Sequence, residues 1–155
     1  MIITESNVVQ GKQHMPMLVA EREIEYTEFI SFKNPENIVK ILNDVFNLKA
    51  MAEEYMYMLT LTSACELISV FELSHGTYNM SLVGGREIMI RALLSGAAGI
   101  ILVHNHPSGS IVPSKEDINE TERINEICIL MGIDFLDHII IGGDDFYSFE
   151  KAKYN

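Results

Sequence analysis

The segment His104-Asn105-His106-Pro107-Ser108-Gly109, followed by Pro113-Ser114 and Asp117, gathers the side chains of this 155-residue sequence best suited to chemistry. Two histidines separated by one residue, at the end of an apolar run, point to the same side of a strand with Cα atoms about 6.5–7 Å apart. Both imidazoles can then converge on one ion. Asp117 falls in the first turn of an expected helix, where the intervening loop can fold back and set its carboxylate beside the rings. Two neutral histidines and one aspartate leave a divalent ion with a net charge of about +1 and an open position, as in catalytic rather than structural zinc. Water in such a position has its pKa drawn down toward about 7.

Part of this segment also has a plainer reading. His-x-His alone is a weak metal signal, and Ser114-x-x-Asp117 is a helix N-terminal capping pattern. The two readings are compatible, since Ser114 can cap the helix while Asp117 turns to the metal. The coincidence of an apolar strand, a histidine pair, a Pro-Ser-Gly turn and an aspartate at a helix start favours the metal.

The elements that must position these groups are legible in the hydrophobic pattern. Gly99 to Val103 is apolar without alternation, as expected of a central strand covered on both faces, and it leads directly to His104. A helix is expected from about Lys115 to Met131, with Ile118, Ile124, Ile127 and Met131 on one side, Glu120, Glu122, Arg123 and Glu126 facing out, and Gly132 as its stop. Upstream, residues 1–16 read as a flexible leader and 17–155 as a single domain. Alternation predicts a strand over Ala20–Ile30. Asn34 as N-cap with Pro35 predicts a helix to about Ala50. Glu54–Leu61 and Cys65–Leu73 read as a strand pair, and Arg86–Ser95 as a buried helix. Ile133–Ile141 and Phe146–Phe149 complete the strands. Strands interleaved with three helices predict an α/β fold, a three-layer-like sandwich with a mixed central β-sheet flanked by helices. The strand order is not derivable from the pattern.

Composition narrows the function classes. Eleven Lys and Arg against 22 Asp and Glu give a net charge of −11, and the basic residues form no run. Binding to a phosphate backbone by counterion release has little to work with, so DNA is disfavoured as a partner. The longest apolar stretch, Ala97 to Val103, is far short of the ~20 residues that cross a bilayer, so no membrane partner is expected. Cys65 and Cys128 lack a partner motif and read as small buried hydrophobes in a reducing compartment, the cytoplasm by default. Zinc deaminases need a Pro-Cys-x-x-Cys pair that is absent here, and ferrous oxygenases typically use His-x-Asp spacing.

The His104-x-His106-Pro107 segment with Ser114 and Asp117 resembles the JAMM/MPN (JAB) metalloproteases. His-Asn-His-Pro-Ser-Gly with Pro-Ser-x-x-Asp resembles their RadC-like branch, named historically for DNA repair, over roughly Ala20 to Asn155. The resemblance implies a cytidine-deaminase-like fold and one zinc ion per chain held by His104, His106 and Asp117. It implies that Ser114 steadies the oxyanion of a tetrahedral intermediate and that Glu54 moves a proton from the attacking water to the leaving amine. Glu53 competes for that role, but adjacent strand residues face opposite sides, and the family's Leu-x-Leu after the glutamate matches Leu59 and Leu61 better from Glu54. Gly76, Arg86-Glu87 and Asp137-His138 also match the branch. Asp137 or His138, a charged pair inside an apolar strand, either orients a metal ligand or lies exposed at an edge. His14 and His75 read as surface residues, and Met56, Met58 and Met89 as core filling or interface. Family members usually carry a preceding helix-hairpin-helix region implied to contact DNA, for which this sequence has no room.

The expected function is therefore a zinc-dependent metallopeptidase or isopeptidase acting on a peptide or protein substrate. The alternatives are a DNA-repair or mobile-element DNA-transaction module, and a non-catalytic interaction domain. The mean hydropathy of +0.14 leaves a homodimer open.

Overall fold

Seven strands and four α-helices follow one another in the computed structural model, which describes residues 1–28, 30–76 and 84–153. The strands are β1 (Ile2–Gln10), β2 (Pro16–Glu25), β3 (Tyr55–Leu61), β4 (Leu67–His75), β5 (Gly99–Asn105), β6 (Asp134–Gly142) and β7 (Asp145–Ser148). The helices are α1 (Pro35–Phe46), α2 (Gly85–Leu94), α3 (Lys115–Met131) and α4 (Phe149–Ala152). One mixed sheet results, in the order β2-β1-β4-β3-β5-β6-β7, with β5 antiparallel to β3 and parallel to β6.

β5 is buried at every residue, which explains its unbroken apolar run. Ile101 and Val103 join the core under α1, with Ile38, Ile41, Leu42 and Phe46. Ile100 and Leu102 join the opposite core, with Ile88 of α2 and Ile124 and Cys128 of α3. Each such side chain contributes about 1.5–3 kcal/mol by leaving water. His104 continues the side of Ile100 and Leu102, so the sheet's alternation aims it at α3. α1 opens with Pro35 at its first turn, although the Asn34 side chain makes no capping hydrogen bond. It stops at Phe46 because Asn47 turns left-handed (φ 53°), so Leu48–Ala50 form a separate 3-10 turn.

Four expectations are corrected. Residues 1–16 are not a loose leader: β1 pairs along its whole length with β2 and touches β4 through Glu5 and Val70. Its backbone is held by neighbouring strands, while only Ile3 and Ser6 are buried, so the sequence carries little alternation to read. The outward face assigned to α3 is also wrong in part. Its buried stripe is Asp117, Glu120, Ile124 and Cys128, whereas Ile118 and Met131 are exposed. Glu120 goes under because Arg123 Nη2 lies 2.6 Å away and neutralises it. Finally, Phe149 starts α4 rather than ending a strand, and Cys65 is only half-buried, in the turn after β3 with φ 60°.

Candidate metal centre

β5 carries His104 to the edge of the core, and His106 follows one residue past its end. The chain stays in register there because the His106 N–H donates to the Ile141 carbonyl at 2.8 Å. The loop turns at Gly109 (φ 79°) and packs against Gly142, where a Cβ would lie 2.6 Å from the Gly109 carbonyl oxygen. This close approach requires glycine. It brings the Ser110 carbonyl to 2.8 Å from His106 Nδ1. A carbonyl only accepts, so Nδ1 bears the proton and His106 Nε2 presents a lone pair.

α3 supplies the third group. Ser114 and Asp117 form a complete capping box: the Asp117 N–H donates to Ser114 Oγ at 3.1 Å, and the Ser114 N–H donates to Asp117 Oδ2 at 2.7 Å. The capping reading therefore holds, and it leaves the Asp117 carboxylate beside the two imidazoles. The same carboxylate lies 3.3 Å from His104 Nε2 through Oδ1 and 3.5 Å from His106 Nε2 through Oδ2. The two Nε2 atoms are 3.0 Å apart. His104, His106 and Asp117 thus bring one ligand atom each within 4.8 Å of one another. Two imidazole nitrogens and a carboxylate, converging on one point, are a donor set that fits zinc.

The groups of the cluster shift one another's acidity. Burial alone would push the Asp117 carboxyl up, but the two imidazoles and the Ser114 side chain hold it well below the usual carboxylate range. Contact with Asp117 raises the His106 imidazole above 6.5 against the opposing effect of burial, and the charge of Glu54 adds to the rise. His138, fully buried, is pushed well below 6.5 by desolvation and stays neutral.

Glu54 precedes β3 and is half-buried. Its charge reaches His106. Glu53 is exposed, and its carboxylate covers Gly76 instead. Asn105, buried between the two histidines, fixes this segment: its Oδ1 accepts the Tyr55 N–H at 2.8 Å and its Nδ2 donates to the Glu53 carbonyl at 3.0 Å. These are the peptide groups on either side of Glu54. Ser114 is exposed at the helix start, with its Oγ accepting the Asp117 N–H in the cap.

Asp137 and His138 are both buried and do different things. His138 Nε2 lies 2.9 Å from His104 Nδ1. Asp137 accepts from the Ser148 hydroxyl and from the Glu150 and His138 N–H groups, tying α4 to β6. His14 and His75 are exposed, and Met56, Met58 and Met89 are core residues. Sequence reasoning missed Thr121 and the role of Asn105. Asn105 offered only its place at the end of the apolar β5 run, and Thr121, between Glu120 and Glu122, offered none.

A family model, the RadC-like JAB domain, matches residues 32–154. The chain belongs to the RadC-like JAB domain family. Its helices, its central strands and the whole metal cluster lie inside the match, while β1 and β2 lie outside it. This RadC-like JAB domain is 40% identical over 125 residues to a UPF0758 protein of Finegoldia magna, covering 80% of this chain and 55% of that protein. It is 38% identical over 122 residues to one of Clostridium perfringens, covering 79% of this chain and 53% of the relative. A Staphylococcus aureus UPF0758 protein is 44% identical over 107 residues, 69% of this chain and 49% of the relative. The chain thus spans about half the length of the curated relatives it matches. Family and His/His/Asp cluster together fit a metal-dependent hydrolase. Among the described residues, no helix is long and apolar enough to cross a membrane.

Proposed function

We propose that the chain is a zinc-dependent hydrolase of peptide or isopeptide bonds, one zinc per chain, with His104, His106 and Asp117 as ligands. The observation that carries this reading is the convergence of His104 Nε2, His106 Nε2 and the Asp117 carboxylate on one point, with the His106 Nδ1 proton already engaged by Ser110. When bound, the ion supplies Lewis acidity and makes water a nucleophile at neutral pH. Glu54 accepts the proton of the attacking water and passes it to the leaving amine. The Ser114 hydroxyl donates to the oxygen on which charge develops as the carbonyl carbon becomes tetrahedral. Asn105 holds the two peptide groups flanking Glu54 and so sets the base relative to the histidines.

The net charge of −11 gives a nucleic-acid backbone little to bind, so we place the substrate among peptides and proteins. Two cysteines with no disulfide between them fit a cytoplasmic setting. The test is turnover by the zinc-loaded chain on a panel of peptide and isopeptide bonds, beside Glu54→Gln. Loss of about 10²–10⁴-fold in rate with zinc retained is the expected result. Equal rates for the two proteins would refute the role of Glu54, and no cleavage across the panel would leave a non-catalytic interaction domain.

A further inference from the structure

We propose that Thr121 and His138 form a tautomer lock: a directed chain of hydrogen bonds that keeps the His104 proton on Nδ1, so that Nε2 meets the metal as a lone pair. The inference rests on the metal reading above and assigns work to two residues outside the ligand set.

The direction of the chain follows from its one end that cannot donate. Thr121 Oγ1 lies 2.6 Å from the Asp117 carbonyl and 2.6 Å from His138 Nδ1. A carbonyl has no proton, so the single hydroxyl proton of Thr121 goes to it, and Thr121 faces His138 with a lone pair. His138 Nδ1 must then carry the proton of that contact. A neutral imidazole has one N–H, which leaves His138 Nε2 as an acceptor. His104 Nδ1, 2.9 Å away, therefore donates to it. His104 Nε2 is left without a proton, 3.3 Å from Asp117 Oδ1 and 3.0 Å from His106 Nε2.

The surroundings of His138 favour this direction, and the contact that pulls the other way is the Asp117 carboxylate, an acceptor 3.3 Å from His104 Nε2. His138 has no solvent exposure, its ring stacks on Phe149 at 5.2 Å and 10°, and neither of its nitrogens touches a carboxylate. The chain begins at the backbone of Asp117, whose side chain is itself a ligand. Asp117 thus positions one ligand directly and sets the protonation of another through α3. His106 is set independently by Ser110.

The experiment uses the full chain, metal-free, at pH 8, with zinc as the only added ligand. Long-range ¹H–¹⁵N correlation spectra read which imidazole nitrogen is protonated, and competition with a chromogenic chelator reads zinc affinity. Wild type should show His104 protonated at Nδ1. Thr121→Val should mix the His104 tautomers and weaken zinc by about 10–100-fold, the usual cost of losing an outer partner of a ligand. Thr121→Ser, which keeps the hydroxyl, should restore both readouts. His138→Gln, which keeps an acceptor near the Nε2 position, should retain more affinity than His138→Leu. A wild-type spectrum with His104 protonated at Nε2 overturns the lock even if a variant fails to fold. So does a folded Thr121→Val chain that binds zinc as tightly as wild type. A wild-type chain with the expected tautomer and no zinc affinity would overturn the metal reading itself, and with it the purpose of the lock.

Discussion

Two buried aspartates, Asp137 on β6 and Asp117 on α3, show how the same side chain becomes structural in one place and functional in another. Asp137 is a closed network: Oδ2 accepts the Ser148 hydroxyl at 2.6 Å, and Oδ1 accepts the His138 and Glu150 N–H groups at 2.8 and 3.0 Å. Every partner is a donor, and nothing is left over for a ligand. Asp117 accepts the Ser114 N–H and otherwise faces the Nε2 atoms of His104 and His106 at 3.3 and 3.5 Å, the groups that would hold a cation with it. With both imidazoles neutral and protonated at Nδ1, three acceptors would converge there, and a cation would relieve them, whereas Asp137 needs none. The two carboxyls also move apart in acidity. Burial pushes Asp137 up despite its hydrogen bonds, while Asp117, which burial would also raise, is held low by the histidines.

The comparison breaks most visibly by removing each carboxylate. Asp137→Ala strands the Ser148 hydroxyl and the Glu150 N–H and should cost about 2–4 kcal/mol of unfolding free energy, with zinc affinity of the folded fraction unchanged. Asp117→Asn keeps an oxygen for the Ser114 N–H and brings an N–H₂ toward the imidazole lone pairs. At pH 8 the metal-free chain should lose less than about 1 kcal/mol, while zinc affinity collapses by more than the about 10–100-fold typical of an outer partner. Urea titration of both variants, with and without zinc, checks the pair. Equal stability losses would erase the distinction.

Asn105 sharpens the contrast from the neighbouring strand, since it is closed like Asp137 yet serves the open site. Asn105→Ala leaves the Glu53 carbonyl and the Tyr55 N–H unpaired and should cost about 1–3 kcal/mol, with zinc bound as before and turnover reduced along with the placement of Glu54. A loss of zinc affinity in this variant would show that the segment before β3 supports the metal rather than the base.

The smallest effect is in pH. His106 is raised above 6.5 in the metal-free fold, so its contribution to stability is full below 6.5 and is lost as pH rises through the folded value. His138 is lowered, so its contribution is present above 6.5 and lost as pH falls toward its folded value. Metal-free protein should therefore be most stable near pH 6.5. His106→Ala should remove the decline on the alkaline side, and His138→Gln the decline on the acid side. Denaturant midpoints from pH 5 to 9 test both. Zinc reverses the alkaline slope, because the ion competes with the His106 proton.

Much of this was readable beforehand where one local signal settles an element. α3 spans Lys115–Met131 as expected because Ser114 caps one end and Gly132, at φ 67°, terminates the other. β5 was legible because a strand buried on both faces has no alternation to confuse. What could not be read depends on contacts distant in sequence. β1 is a strand because β2 and β4 pair with its backbone, and strand order follows from such pairings. Glu120 is buried because Arg123 travels with it. The Asp137-His138 pair was visible as a charge inside an apolar strand, but which residue faces the metal depends on the β5–β6 register, which shifts between Ile100 and Ile101. The candidate ligands could be named from their spacing together with the family resemblance, whereas the network around them needed the fold.

The central claim is a cation held between β5 and α3, and anomalous diffraction at the zinc edge from crystals of the zinc-loaded chain tests it most directly. One peak per chain is expected, about 2.0–2.2 Å from His104 Nε2, His106 Nε2 and an Asp117 oxygen. No peak there, or zinc found only at other residues, would contradict the account.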